Sequence, residues 1–144
     1  MKILLLEDDL MLSEVIVEHL EDYDYKVTAV YNGIEAEDLL FEEKFDLLLL
    51  DVNVPLLNGF ELLKNLRASR NNTPAIFITS LNTSQDVLEG FELGANDYLK
   101  KLKGEGLSED RIKNLEKIIQ DLTNEGIAKI DLLITKKEVD IMTI

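Results

Sequence analysis

The 144-residue sequence lacks cysteine and has only one histidine, so a thiolate metal site and a disulfide framework are both excluded. Positive charge is also scarce, because 15 Lys and Arg stand against 29 Asp and Glu, for a net charge of -14. Such a surface disfavours unassisted binding to nucleic acid or to an anionic membrane. Long apolar runs are missing too, and the short stretch Ile3 to Leu6 is at once interrupted by acids. We therefore expect a cytosolic protein that binds cations or basic surfaces and crosses no membrane.

Hydrophobic residues make up 46% of the sequence and charged residues 31%, which is the balance of a soluble globular protein. The length suits one main domain with a single core. We expect that domain to occupy residues 1–103, followed by a helical tail over residues 104–144.

Short apolar runs alternate with longer amphipathic stretches through the first hundred residues, which predicts a βα repeat. The predicted strands are Ile3 to Leu6, Lys26 to Val30, Phe45 to Leu50, Ala75 to Thr79 and Asp97 to Lys100. The predicted helices cover residues 10–22, 33–43, 58–68 and 84–93. Such an order implies an α/β fold, a doubly wound parallel sheet with helices on both faces and ligands at the carboxyl ends of its strands.

The segment after Lys101 has a different pattern, because no run from residue 103 to 144 predicts a strand. A Gly-Glu-Gly joint at 104–106 precedes Ser108, which we expect to cap a helix. That helix carries an apolar stripe of Ile112, Leu115, Ile119 and Leu122, and Gly126 is its weak point. Isoleucines continue the stripe to Ile141, and left uncovered they would form an exposed apolar patch, so we expect a homodimer through this segment or a fold-back near Gly126.

Polar groups follow the carboxyl ends of the predicted strands. Glu7-Asp8-Asp9 comes after the first strand, Asp51 after the third, and Thr79 closes the fourth. Carboxylates gathered at one sheet edge repel one another unless a cation compensates, and hard oxygen ligands suit magnesium. Magnesium would leave Asp51 as a nucleophile toward phosphorus, with the Thr79 hydroxyl and Lys101 at the phosphoryl oxygens.

Each of these groups also has an ordinary structural interpretation. The acidic run could complement a helix dipole, Asp51 could form a turn, and Lys101 could be a solvated surface lysine. His19 falls in the middle of a helix and stays unassigned. The functional interpretation depends on all the strand ends carrying a suitable group in the same order.

Four stretches closely resemble the response-regulator receiver family, jointly and specifically, over residues 1 to about 101. They are Leu4-Leu-Leu-Glu-Asp-Asp9, Leu48-Leu-Leu-Asp-Val-Asn-Val-Pro-Leu-Leu-Asn-Gly59, Ile76-Phe-Ile-Thr-Ser80 and Gly94-Ala-Asn-Asp-Tyr-Leu-Lys-Lys101. The resemblance implies a flavodoxin-like fold with five strands and five helices. It also implies a phosphorelay switch, not a metabolic enzyme, which accepts a phosphoryl group from a sensor histidine kinase or phosphotransfer protein and has at most weak autophosphatase activity.

The same resemblance assigns roles to individual residues. Asp51 would be the phosphoacceptor, and Mg²⁺ would bind Asp8, Asp51 and the backbone carbonyl of Asn53, with Glu7 acting indirectly. The resemblance makes Thr79 the switch hydroxyl, Lys101 the phosphate-binding lysine and Tyr98 an aromatic ring that rotates inward. The family usually has proline after this lysine, whereas this chain has Leu102, so we expect a trans bond and a differently shaped loop.

The tail from Leu107 to Ile144 resembles the C-terminal helix of ribosome recycling factor, and it stands where the family's fifth helix is expected. A gene fusion, a crossover at Ala95-Asn-Asp97 or a deliberately built hybrid would each produce this sequence. Ribosome recycling is improbable, because the second domain of those factors is missing.

Two rival functions remain. One is a hybrid that keeps the pocket but has lost its signalling output. The other is a magnesium-dependent phosphohydrolase. Such enzymes carry a second aspartate just after the nucleophile, whereas this chain has Val52-Asn53 there, which argues against this function.

Overall fold

The computed structural model describes residues 1–79, 84–95, 97–100 and 113–120. The strands are β1 (Lys2–Leu6), β2 (Lys26–Val30), β3 (Leu47–Leu50), β4 (Ala75–Thr79) and β5 (Asp97–Lys100). The helices are α1 (Leu10–Glu21), α2 (Gly33–Glu42), α3 (Gly59–Ala68), α4 (Ser84–Glu92) and α5 (residues 113–120). In this part of the chain, no helix is both long and apolar enough to cross a bilayer.

All five strands are parallel and lie in the order β2-β1-β3-β4-β5, so the predicted flavodoxin-like doubly wound sheet is confirmed. The central strand β3 is buried along its whole length, as its unbroken leucines require. It begins at Leu47, two residues later than predicted. Phe45 is buried just before the strand, and the side chain of Asp46 accepts a hydrogen bond from the Lys2 backbone.

Two hydrophobic clusters cover the two faces of the sheet. One lies beneath α2 and α3 and includes Phe60 and Phe77, whose rings meet edge to face at 5.0 Å. The other lies beneath α1 and contains Leu115 and Ile119, both fully buried beside Ile16. These two residues belong to the apolar stripe predicted for the tail, while its other members Ile112 and Leu122 lie outside the described residues. So do the predicted joint at 104–106, the N-cap at Ser108 and the segment from Gly126 to Ile144.

Asparagine side chains begin two of the helices. Asn32 accepts a hydrogen bond from Glu35 N at 2.8 Å, and Asn58 accepts one from Glu61 N at 2.9 Å. Both asparagines are therefore N-caps of α2 and α3, and the Asn-Gly pairs mark helix starts.

Three helices end in paired backbone bonds of the Schellman type. After α4, Ala95 N donates to Gly90 O and Gly94 N to Phe91 O, and Gly94 has the left-handed φ of +94° that this turn requires. After α1 and α3 the equivalent left-handed positions hold non-glycine residues, Asp24 at φ 65° and Arg70 at φ 64°. These turns satisfy helix carbonyls at the amino-terminal edge of the sheet, away from the strand ends that carry the acids.

Candidate functional site

The carboxylates of Glu7, Asp8 and Asp51 converge at the carboxyl-terminal edge of the sheet. One oxygen from each lies within 4.8 Å of the other two. Glu7 is 1% exposed and Asp51 is 4% exposed, whereas Asp8 faces solvent. The sequence places these residues directly after β1 and β3, and the pairing of the two strands brings them together. The arrangement forms a pocket with two buried acids and one accessible acid.

Backbone bonds fix both buried acids as continuations of the sheet. Glu7 N donates to Val30 O at 3.1 Å, and Asp51 N donates to Leu6 O at 2.9 Å. Each acid thus extends the parallel pairing by one residue beyond its strand. The side chains consequently start from rigid positions, as a preorganised site requires.

The acidic run after β1 divides between two roles. Asp9 caps α1, since its side chain accepts a hydrogen bond from Leu12 N at 3.2 Å. Glu7 turns back and accepts a hydrogen bond from Asp9 N at 3.1 Å through Oε2. The helix-start interpretation is therefore correct for Asp9, while Glu7 and Asp8 belong to the pocket.

The loop from β3 to α3 is held tightly against the pocket. A Cβ at Gly59 would collide with the backbone carbonyl oxygen of Asp51, and one at Gly33 would collide with that of Leu57. Gly59 N also donates to Val52 O at 3.0 Å, which closes the loop. Leu56 at the tip adopts a left-handed φ of 73° and is 77% exposed. The close approach of Gly59 to Asp51 was not predicted from the sequence.

The other predicted site residues that the structure describes fall at or near the same edge. Thr79 ends β4, and its Cα is in register with that of Lys100, the last residue of β5. Tyr98 lies in β5 opposite Phe77, and Asn53 is exposed two residues beyond Asp51. Lys101, and with it the predicted trans bond to Leu102, lies outside the described residues.

The chemistry of the pocket fits a hard divalent cation. Three carboxylates at this separation repel one another, and burial of two of them increases the cost of their charge. Oxygen ligands that leave an open, solvent-facing side match the preference of Mg²⁺ for few protein ligands and retained water. His19 belongs to no such group, because it lies in the last turn of α1 against Tyr23, with ring centroids 5.5 Å apart.

The family model of the response regulator receiver domain matches residues 3–112. Among curated relatives, the transcriptional regulatory protein CrdR of Helicobacter pylori is 50% identical over 101 residues, which cover 69% of this chain and 47% of CrdR. CpxR of Escherichia coli is 44% identical over 100 residues, covering 69% of this chain and 42% of CpxR. The chain thus spans less than half the length of either relative.

Solved receiver structures agree in fold over most of the chain. The non-phosphorylated HemR receiver domain from Leptospira biflexa is 35% identical with a TM-score of 0.71, covering 82% of this chain and 93% of that one. The Mn²⁺-bound form of response regulator Rcp1 is 26% identical with a TM-score of 0.74, covering 88% and 96%. The strand order, the acidic pocket and these matches together identify the chain as a member of the response regulator receiver domain family.

Proposed function

We propose that this receiver domain accepts a phosphoryl group on Asp51 and passes the change in charge to a protein-interaction surface. The observation that carries the proposal is the position of Asp51: it is 4% exposed at the end of the central strand, with Glu7 and Asp8 oxygens within 4.8 Å. A carboxylate held rigidly inside an acidic pocket suits a nucleophile that works beside a divalent cation.

Asp8, Asp51 and the backbone carbonyl of Asn53 would hold Mg²⁺, and Glu7 would act indirectly. The ion would neutralise the phosphoryl oxygens together with the surrounding carboxylates. Exposure of Asp8 and Asn53 leaves the pocket open on the side from which a donor approaches. Burial of Glu7 fixes the pocket from behind, since its side chain bonds to the backbone of Asp9.

In the proposed transfer, an Asp51 carboxylate oxygen attacks the phosphorus of a phosphohistidine. The phosphorus–nitrogen bond breaks, and its electron pair stays on the imidazole nitrogen, which then takes a proton. Thr79 and Lys101 would bind the phosphoryl oxygens, and Tyr98 would turn inward once Thr79 is drawn toward them. Slow hydrolysis of the acyl phosphate would make the domain a weak autophosphatase.

The donor would be a sensor histidine kinase or a phosphotransfer protein, and the site of action the cytoplasm. CrdR and CpxR are both named as transcriptional regulatory proteins, which supports a role in signal transduction. The phosphohydrolase rival has less support, because Val52 is 4% exposed within the hydrophobic core and Asn53 is no acid.

We also propose that the tail over 104–144 replaces and extends the fifth helix, and that its distal part pairs two copies of the chain. Burial of Leu115 and Ile119 against the α1 face supports the first half of this proposal. The family match ends at residue 112 and so overlaps the first six residues of the segment that resembles ribosome recycling factor.

Intact-mass spectrometry after incubation with acetyl phosphate and Mg²⁺ tests the function. We expect a single phosphoryl adduct that chelator prevents and that Asp51→Asn abolishes. Asp46→Asn is the matched control, because Asp46 precedes the same strand that Asp51 follows, and it should label like the parent. Labelling of Asp51→Asn, or acetyl phosphate turnover without an adduct, would contradict the proposal, and the second result would favour the hydrolase.

A further inference from the structure

A groove of about 450 Å³ opens at the amino-terminal edge of the sheet, opposite the acidic pocket. It lies between the segment that enters β3, residues 40–45, and the segment that enters β4, residues 70–73. Leu40 and Phe45 line it from the hydrophobic core, since they are 8% and 7% exposed. The volume lies within the range of ligand-binding clefts. None of the three pocket acids lines this groove, so the two are separate surfaces.

Phe41 borders the groove with an exposed aromatic ring. It lies in the last turn of α2 and is 80% exposed, although Leu40 and Phe45 on either side of the groove floor are buried. A single exposed ring is common on protein surfaces. This ring, however, stands at the edge of a cleft, where an apolar side chain of a bound molecule could cover it and bury apolar area.

The charged side chains of the groove leave an excess of positive charge. Lys44 and Arg70 line it together with Glu42 and Glu43. Glu43 lies 2.7 Å from Lys2 Nζ, and this is the one ion pair among the residues that the structure describes. Two cations without a described ion-pair partner thus accompany one such acid, on a chain whose net charge is -14. The groove is therefore complementary to an anionic group.

Arg70 is attached to a backbone that the surrounding turn fixes. Its φ of 64° lies in the left-handed region, which glycine adopts at lower cost, and its N–H donates to Arg67 O at 3.1 Å. The next residues are fixed as well, because Asn71 Oδ1 accepts hydrogen bonds from Thr73 N at 3.1 Å and Thr73 Oγ1 at 2.6 Å. A fixed backbone on this side of the groove reduces the ordering cost of binding.

We propose that this groove binds an acidic peptide segment of another protein that carries an aromatic or large aliphatic side chain. The apolar side chain would cover the Phe41 ring, and the neighbouring carboxylates would bind Arg70 and Lys44. The net charge of -14 would repel a long polyanion such as nucleic acid, so a short segment that reaches only the groove is the better match. Binding here is independent of phosphoryl transfer to Asp51.

The peptide Glu-Asp-Phe-Asp-Glu, acetylated and amidated at its ends, is the probe. It is titrated into the isotope-labelled full chain at constant ionic strength and followed by amide NMR. Saturable shifts should concentrate at residues 40–45 and 70–73. The control peptide Gln-Asn-Phe-Asn-Gln keeps the ring without the charges and should bind about fivefold more weakly.

The charge is tested on the protein by Lys44→Gln with Arg70→Gln. The matched control is Lys64→Gln with Lys117→Gln, two exposed lysines of α3 and α5 whose replacement removes the same charge elsewhere. We expect the dissociation constant to rise about fivefold in the groove variant and less than about twofold in the control. Equal weakening in both would overturn the proposal, because attraction would then be a property of the whole surface.

Phe41→Ala tests the apolar contact without a change of charge and should weaken binding by about threefold. Met11→Ala is its control, because Met11 is 79% exposed on α1, and binding should be unchanged. The absence of saturable shifts in millimolar peptide would overturn the proposal. So would shifts at residues 40–45 that depend on the concentration of the chain without peptide, because a second copy would then occupy the groove.

Discussion

At the carboxyl-terminal edge of the sheet three acids lie within 4.8 Å of one another, whereas at the amino-terminal edge Lys2 and Arg67 have partners and backbone bonds close the helix ends. Lys2 Nζ lies 2.7 Å from Glu43 and 4.8 Å above the Phe45 ring, and its backbone N–H donates to Asp46 at 2.7 Å. Arg67 donates at 2.9 Å to the carbonyl oxygens of both Asn71 and Gly94. One edge thus stabilises the fold, and the other stores repulsion that a cation can relieve.

The contrast separates a half-buried charge, Arg67, from the two buried acids Glu7 and Asp51. Burial lowers the pKa of the Arg67 guanidinium, but its two carbonyl partners satisfy it in place. Glu7 and Asp51 are buried with the Asp8 carboxylate close by, an arrangement that a cation bound in the pocket would stabilise. Substitutions at the two edges should therefore change the free energy of unfolding in opposite directions. Only those at the carboxyl-terminal edge should respond to Mg²⁺.

The largest effect should come from Gly59→Ala, because the new Cβ meets the backbone of Asp51 and Val52. We expect a loss of about 3 kcal/mol in the free energy of unfolding together with reduced labelling of Asp51. Gly90→Ala is the matched control, since its Cβ would meet Phe77 ring atoms at 3.0 Å inside a helix that favours alanine. If urea unfolding gave the two variants equal losses in the free energy of unfolding, the loop from β3 to α3 would have no special role.

Arg67→Ala should have the next largest effect and should act on stability alone. Loss of two hydrogen bonds, with two carbonyl groups left unpaired, should cost about 2 kcal/mol in urea unfolding. Arg67→Lys should recover part of this loss, because one amine cannot span both acceptors. A marked fall in acetyl phosphate labelling of the folded variant would show that the two edges are coupled.

Asp8→Asn should have a smaller effect on the free energy of unfolding, and the sign of this effect should depend on whether Mg²⁺ is present. In chelator the substitution should raise the free energy of unfolding by up to about 1 kcal/mol, because one repelling charge leaves the pocket. In saturating Mg²⁺ the parent should become the more stable, since only its pocket binds the ion well. Asp46→Asn should lose about 0.5 kcal/mol in both buffers, as its bond to Lys2 weakens. If Asp8→Asn destabilised the protein in chelator, repulsion among the pocket carboxylates would not be the dominant effect.

The smallest effect on stability should come from Tyr25→Phe, on the face of the sheet where α5 packs. Burial and, to a lesser degree, the charge of Glu116 raise the pKa of the Tyr25 hydroxyl above its usual 10.0. A raised pKa in the folded state contributes stability that is complete below pH 10.0 and is lost as pH rises through the folded value. Tyr25→Phe should therefore show a shallower loss of stability above that pH, measured by urea unfolding across an alkaline series. Parallel curves would remove Tyr25 from the account.

Strand and helix positions were predictable because each apolar run has one period and ends at a polar residue. Lys26–Val30, Ala75–Thr79 and Asp97–Lys100 occupy the ranges predicted for them, and parallel order then placed Asp8 near Asp51. Phe45 showed the limit of such prediction, since it is buried without belonging to the strand it precedes.

Features that depend on contacts between distant segments could not be predicted. The hydrogen bond from Arg67 to Gly94 joins α3 to the turn after α4, 27 residues further along the chain, and an isolated arginine gives no sign of it. Left-handed backbone at Asp24, Leu56 and Arg70 was equally invisible, because none of the three is glycine.

Identification of the phosphorylated residue tests the central claim most directly. After labelling with acetyl phosphate, sodium borohydride reduces an aspartyl phosphate to homoserine, and tandem mass spectrometry of peptides then locates it. We predict homoserine at position 51 when Mg²⁺ is present and none in chelator. Homoserine at Asp8 or Asp46, or labelling at Asp51 that is indifferent to Mg²⁺, would contradict the account.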